Sequence, residues 1–416
     1  MKNCNTELKD WFSSLENILR DGARRMMQSI LESEADAYVR EFSAVIDENN
    51  RRMIKRNGYC SERSILTGLG PISFRKPRVR DDRPGHRFTS QVLPPYLRKV
   101  ASLENLIPAL YLKGVSTQDF GTALESILGP DYKGFSAKSV ERLKEVWMKD
   151  YESWRCRDLS EKNYVYVWAD GIYFNVRLED AENSKMCFLV LMGALEDGSK
   201  ELIGVLDGYR ESKSSWEMLI LDLQERGLGK QPKLAVGDGS LGFWSAIEEI
   251  WPETVHQRCW VHKTANILDK MPKSVQGKAK QHIHDMYLAE TKKDALKAFD
   301  SFEMLYKDKF PKAFTCLEKD KDVLFSFYDF PAIHWQHIRT TNPIESTFAT
   351  VRHRTRKTKG CGSRKATLMM VFKLCLEASK RWRKLQGYAK IKKIIEGIQF
   401  IDGFTAQEWE ELRKAA

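Results

Sequence analysis

The sequence predicts an α/β fold: a mixed sheet with helices and an all-helical insertion, preceded by a mainly helical region. Three observations carry this. From Tyr164 the pattern changes to apolar, β-branched runs separated by turn signals such as Asp197-Gly198. Those runs then alternate with segments of helical period. Residues 263–335 read as helices only, rich in Lys and aromatics.

The elements follow in order. Leu8, Trp11, Phe12, Leu15, Ile18 and Leu19, then Met26, Met27, Ile30 and Leu31, recur at helical spacing and predict one or two amphipathic helices over 7–50. Residues 51–100 are basic and rich in Gly and Pro. They predict a short β element over 71–75 and then an extended arm, which is either a linker or a segment that follows a DNA backbone or minor groove. An apolar helix over 103–112 precedes Ser116-Thr117-Gln118-Asp119, a capping box that opens a second helix. A third starts behind Ser136 and runs through Val140, Leu143 and Trp147. Three short helices with a Gly-containing turn suit a helix-turn-helix, whose last helix enters the major groove; a plain three-helix support has the same pattern.

Strands are expected over 165–168, 172–177, 187–195 and 201–207. A helix then follows behind Ser214, with Glu217 as its capping-box partner. A strand ending at Asp238, a helix over 243–251 and a strand over 255–259 complete a mixed sheet with helices. Asp170 and Asp238 therefore fall at expected strand ends. In Asn342-Pro343-Ile344-Glu345, Asn is the expected N-cap, Pro the first helical residue and Glu the third.

Composition narrows the function. The 416-residue chain carries a net charge of +11, and the excess is concentrated. Residues 339–393 hold 16 Lys or Arg against two acids, and residues 51–100 hold 13 against three. Two such blocks on an otherwise near-neutral or acidic chain form the electrostatic footprint expected for a polyanion. The eight cysteines are scattered without a Cys-x-x-Cys pair, which excludes a disulfide framework. The N-terminal residues lack the apolar core of a signal peptide, and the strongly apolar run 187–195 is too short to span a bilayer. A cytoplasmic setting without membrane partners is expected.

A carboxylate at the tip of a buried strand is costly unless a cation meets it. Asp170, Asp238 and Glu345, brought together from two strands and a helix, would make an oxygen-rich site suited to Mg²⁺ or Mn²⁺. Each acid alone is equally well a turn or cap residue. What those readings leave unexplained is the joint pattern, in which the third acid is followed by Arg352, Arg354, Arg356, Lys357 and Lys359. These five are the candidate DNA contacts, and the whole suggests metal-assisted chemistry on a nucleic-acid phosphate. Cys259-Trp260-Val261-His262 has metal-ligand spacing but no second Cys/His pair to match it.

The segments Trp168-Ala-Asp-Gly-Ile-Tyr, Gly237-Asp-Gly-Ser-Leu-Gly-Phe-Trp, Gln257-Arg-Cys-Trp-Val-His and Thr340-Thr-Asn-Pro-Ile-Glu, followed by Arg354-Thr-Arg, resemble the Mutator-type transposases of bacterial insertion sequences. Arg56-Asn-Gly-Tyr and Lys113-Gly-Val-Ser extend the resemblance over nearly the whole chain. It implies a ribonuclease-H-like catalytic domain with a helical insertion before the last acid, and a DDE triad of Asp170, Asp238 and Glu345 as ligands of two Mg²⁺ or Mn²⁺ ions. Asp170 would be shared by both ions, with Asp238 and Glu345 each holding one. It also implies a local structural role for Cys259 and His262 near the site. The third residue after the glutamate is commonly Asn in that family and is Phe348 here, which argues against a polar role at that position. The expected organisation is N-terminal helices and a basic arm over 1–100, a helix-turn-helix-like DNA-binding domain over 101–160, the catalytic domain over 161–262 and 336–395, the insertion over 263–335 and a tail over 396–416. The expected activity is cleavage at the inverted-repeat ends of an insertion sequence and strand transfer to target DNA, performed by a homo-oligomer on DNA. The alternatives are a nuclease of the same fold without strand transfer, and a catalytically silent DNA-binding copy.

Overall fold

The computed structural model describes residues 3–95, 97, 110, 112, 137–175, 185–208, 210–357 and 363–415. They divide into two compact units, residues 1–143 and 144–416. The first two expected helices of the helix-turn-helix, apart from residues 110 and 112, lie outside the described residues.

In the first unit, α1 (Asn3–Glu41) is one continuous helix. The basic block forms an antiparallel ribbon, β1 (Ile54–Thr67) and β2 (Gly70–Asp81), much longer than the strand expected over 71–75. Pro71 and Pro77 read as breakers in the sequence. Pro71 stands beside the turn, and Pro77 faces Tyr59 where the register shifts, so a missing N–H costs little at either place. The ribbon's alternate apolar residues Ile65, Ile72 and Phe74 are buried with Leu31 of α1 and with Leu93. The Gln28 amide also pairs with an edge of β2, donating to Arg75 O at 3.0 Å and accepting from Arg75 N at 3.1 Å.

The second unit contains the sheet, in the order β5-β4-β3-β6-β7. Its strands are β3 (Tyr164–Asn175), β4 (Lys185–Leu195), β5 (Lys200–Gly208), β6 (Leu234–Gly237) and β7 (Val255–Arg258). β3–β4 and β4–β5 pair antiparallel, whereas β3–β6 and β6–β7 pair parallel. The sheet is therefore mixed, with β3, β5, β6 and β7 all running the same way. Two helices, α3 (Lys213–Glu225) and α4 (Leu241–Ile250), cover one face and bury Trp216, Leu219, Ile220, Phe243 and Ile247 against Val167, Leu189, Leu191 and Ala235. α3 is capped by Ser212, whose hydroxyl accepts from Ser215 N, and not by Ser214 as the sequence suggested. Ser212→Ala is expected to cost about 1 kcal/mol, read as a lower urea midpoint at unchanged slope. An unchanged midpoint would remove the cap from the account.

The last helix of the expected helix-turn-helix is present as α2 (Ala137–Arg155). From Lys144 onward it belongs to the second unit. Trp147 and Tyr151 are buried there, the Tyr151 hydroxyl donates to Val205 O at 3.0 Å, and its ring meets Phe372 edge-on. That face of the helix is committed to packing.

Among the described residues, the chain beyond β7 is mainly helical. The first α-helices are α5 (Trp260–Leu268), α6 (Lys273–Leu288), α7 (Lys292–Tyr306), α8 (Pro311–Glu318), α9 (Lys321–Leu324) and α10 (Trp335–Ile338). Gln257 ties them to the sheet, donating to Leu324 O and accepting from Phe327 N. Trp260 is fully buried and donates to Leu324 O at 2.8 Å, so it is a core residue and offers no face to a base. On the second face of β3, the Tyr166 hydroxyl meets His334 Nδ1 at 2.8 Å and Trp168 donates to His337 O. These bonds lead the chain to α11 (Asn342–Lys357), which packs against β3, and then to α12 (Arg364–Ser379). Among the described residues no helix is long and apolar enough to cross a membrane.

Candidate metal centre

Asp170 does not end a strand. β3 runs unbroken from Tyr164 to Asn175, with Asp170 opposite Val190 and Gly171 opposite Leu189. An Asp-Gly pair reads as a turn, yet the long apolar strand β4 supplies ladder partners on both sides of it. What ends here is the parallel pairing. β6 stops at Gly237, which is paired with Ala169, so the next residues, Asp170 and Asp238, stand side by side. Asp238 then leaves the sheet through Gly239 at φ 90°, and its Oδ1 accepts from Ser240 N at 2.9 Å.

A third carboxylate, Glu211, joins them. It precedes the Ser212 cap, in the loop that carries β5 to α3. Because β5 runs the same way as β6, that loop emerges at the same edge of the sheet. Ligand oxygens of Asp170, Glu211 and Asp238 all lie within 4.8 Å of one another. Asp170 is only 6% exposed, and the other two are half-buried. Sequence reasoning missed Glu211. Its only signal was an acid just ahead of a helix start on the strand-end side of the sheet.

Burial, then the Asp238 charge, pushes the Asp170 carboxyl up to about 7. Glu211 is raised for the same two reasons. The cation acting on both is His262.

Glu345 belongs to an adjoining cluster with Cys259 and His262, whose ligand atoms also lie within 4.8 Å of one another. Its helix starts one residue earlier than the sequence suggested. The Thr341 carbonyl accepts from Ile344 N and Glu345 N, so Thr341, not Asn342, takes the capping position. The Thr341 hydroxyl donates to Glu345 Oε1 at 2.9 Å, and its N–H donates to Cys259 Sγ at 3.2 Å. His262 Nε2 lies 3.5 Å from Glu345 Oε1. A hydrogen bond with Cys259, opposed by burial and supported by the charges of Cys259, Asp170 and Glu345, pushes His262 up to about 9. For Cys259, burial resists ionisation, but His262 and Thr341 outweigh it and lower the thiol. An imidazolium thus stands close to both Asp170 and Glu345. The structure brings the sequence-derived acids together as two neighbouring groups, with Glu345 joined to the aspartates through His262.

An all-oxygen, acidic donor set matches Mg²⁺ or Mn²⁺. Asp170 fits that use as well, since it is buried beside two like charges and would be stabilised as a carboxylate by a divalent cation.

The basic residues after Glu345 separate. Arg352 is exposed, its guanidinium 5.8 Å from the Phe348 ring. Arg354, expected on the DNA side, is 4% exposed and faces the interior. Phe348, Val351 and Thr355 are buried at spacings of three and four, and Arg354 flanks that stripe. Arg356 and Lys357 lie in the last turn of α11, and Lys359 falls outside the described residues.

Comparison with known proteins places the chain in a family. The family model described as "Transposase, Mutator family" matches residues 3–385. The transposase for insertion sequence element IST2 of Acidithiobacillus ferrooxidans is 47% identical over 284 residues, covering 68% of this chain and 95% of its own length. The transposase for IS6120 of Mycolicibacterium smegmatis is 46% identical over 301 residues, 72% of this chain and 92% of its own. The transposase for IS256 in transposon Tn4001 of Staphylococcus aureus is 29% identical over 349 residues, 82% of this chain and 85% of its own. The chain belongs to the Mutator family of transposases.

Proposed function

We propose that this chain cuts DNA at the inverted-repeat ends of its own insertion sequence and joins those ends to target DNA, with Asp170, Asp238 and Glu345 holding two divalent ions. The observation that carries the reading is the pairing of Asp170 and Asp238 at the end of a parallel strand pair, one of them buried and both within reach of one cation. The strand order and the helices between β7 and α11 support a ribonuclease-H-like catalytic domain. Its work would be done in the cytoplasm, by a homo-oligomer assembled on DNA.

Bound at these carboxylates, Mg²⁺ or Mn²⁺ would acidify the attacking hydroxyl and offset charge on the leaving oxygen. The protein's own task is positioning. In cleavage, a water oxygen bonds to the scissile phosphorus and the P–O3′ bond breaks, leaving a 3′-hydroxyl. In transfer, that hydroxyl oxygen bonds to a target phosphorus and a target 3′-hydroxyl leaves. Both steps are displacements at phosphorus, so one site serves both. His262, protonated through Cys259 and the acids, holds the unligated carboxylates together and positions Glu345.

The basic residues that follow Glu345, the exposed Arg352 together with Arg356, Lys357 and Lys359, would hold the DNA backbone without reading bases. The buried Arg354 is left out of this set. Replacing Arg352, Arg356 and Lys359 together by Ala is expected to weaken binding to all sequences alike. It should flatten the plot of log affinity against log salt by up to about 0.9 for each phosphate no longer neutralised; an unchanged slope takes this face away from phosphate. End recognition is assigned to residues 101–154, with the basic arm before them. In the first unit, Lys76, Arg78, Arg80 and Arg87 line a cleft of about 540 Å³ on the basic ribbon, a fitting place for a backbone.

The test is incubation of the full chain with a labelled duplex ending in the element's terminal repeat, plus a target plasmid and Mg²⁺. Free 3′-hydroxyl ends and joined products are expected. Ends without joining would indicate a nuclease, and binding without either product a silent copy.

A further inference from the structure

We propose that Glu211 is a fourth carboxylate of this centre, completing with Asp170 and Asp238 an all-oxygen site for one divalent cation, Mg²⁺ or Mn²⁺. This rests on the reading of the aspartates as metal ligands given above.

Three features place Glu211 in the centre. Its carboxylate lies within 4.8 Å of ligand oxygens of both aspartates, a grouping that does not include Glu345. Glu345 is engaged instead by Thr341 and His262. Mg²⁺ binds oxygens at roughly 2.1 Å and so spaces them about 3–4 Å apart. Small side-chain rotations therefore close Asp170, Glu211 and Asp238 around an ion.

The chain around Glu211 is also cut to admit it. A Cβ on Gly171 would lie 1.9 Å from Glu211 Oε1, so only a glycine beside Asp170 leaves the carboxylate its place. A Cβ on Gly242 would lie 2.4 Å from Glu211 O. The Ser240 hydroxyl, two residues after Asp238, donates to that same carbonyl at 3.3 Å. The Glu211 backbone is thus fixed to the loop of one aspartate, and its side chain lies against the neighbour of the other. Gly242 makes room for the backbone of this loop, and Gly171 for the carboxylate itself.

The carboxylate's partners are neutral: the Ser240 and Tyr173 hydroxyls and the Cys187 thiol. Cys187 Sγ lies 3.9 Å from Oε1, and a thiol is a poor donor that carries no positive charge. Glu211 is half-buried beside two other acids, a position that a cation would make favourable.

The experiment is Mn²⁺ binding to the full chain without DNA, followed by the electron paramagnetic resonance of free Mn²⁺. Wild type, Asp170→Asn, Glu211→Gln and Gly171→Ala are compared, with circular dichroism confirming the fold of each. Glu211→Gln keeps the shape and removes the charge. Gly171→Ala keeps every carboxylate and displaces only the flexible end of Glu211. Both are expected to weaken Mn²⁺ affinity at least tenfold, and Asp170→Asn to remove it. Loss in Asp170→Asn with wild-type affinity in Glu211→Gln would overturn this proposal and leave the aspartate reading standing. A wild-type chain that binds no Mn²⁺ would overturn both.

Discussion

Asp170→Asn, Asp238→Asn and Glu345→Gln are each expected to lower DNA strand cleavage by roughly a thousandfold or more, while DNA binding changes by only a few-fold. Each substitution keeps size and shape and removes one negative charge from a centre whose acids are already in place. The basic residues proposed to bind DNA are separate side chains, so affinity measured by gel shift in EDTA should survive. The three need not act alike. Asp170 sits deepest, so its loss should be the most complete. Glu345 is reached through His262, and its variant should also alter the His262 titration. Any variant that cuts at the wild-type rate in Mg²⁺ loses its place among the ligands.

The second large effect is on stability against pH in EDTA. In the folded chain Asp170 gives up its proton near pH 7, and in the unfolded chain near 4. Between those values the folded state holds a proton that the unfolded state has lost. Its contribution to stability is therefore full below pH 4 and disappears as pH rises through 7. At about 1.4 kcal/mol per unit, the loss is about 4 kcal/mol at most. His262 works in the same direction over a higher window. It is raised to about 9, so its contribution is full below about 6.5 and lost as pH climbs through 9. The metal-free chain should therefore weaken steadily from pH 4 to pH 9.

Asp170→Asn should remove the lower part of that slope and melt higher than wild type at pH 8 in EDTA. Mg²⁺ should then reverse the order, because a ligand that binds only the folded wild type stabilises it by mass action. A constant difference between the two chains from pH 4 to pH 8 would contradict this account of Asp170.

Much of this is legible in the sequence, for definite reasons. The mixed sheet with helices follows from long apolar runs such as 187–195, which leave little choice of element. The Asp170-Gly171 pair reads wrongly as a turn, because the ladder that keeps β3 straight comes from β4, a partner no local pattern reveals. The ribbon reads too short for a similar reason. Its prolines look like breakers until Pro77 is seen opposite a register shift. Arg354 falls among the expected DNA contacts because a dense charge run hides the buried stripe of Phe348, Val351 and Thr355 beneath it. Glu211 is invisible for a different reason. Arg210-Glu211-Ser212 has the composition of any solvated turn, and only the direction of β5 and the missing side chain of Gly171 make it part of the centre.

The most direct measurement is anomalous scattering at the manganese edge from crystals of the full chain grown or soaked with Mn²⁺. The expected result is a peak bounded by the carboxylates of Asp170 and Asp238, lost in crystals of Asp170→Asn. An occupied Mn²⁺ site elsewhere on the chain, with no peak at these two aspartates, would contradict the assignment of this sheet edge as the metal centre.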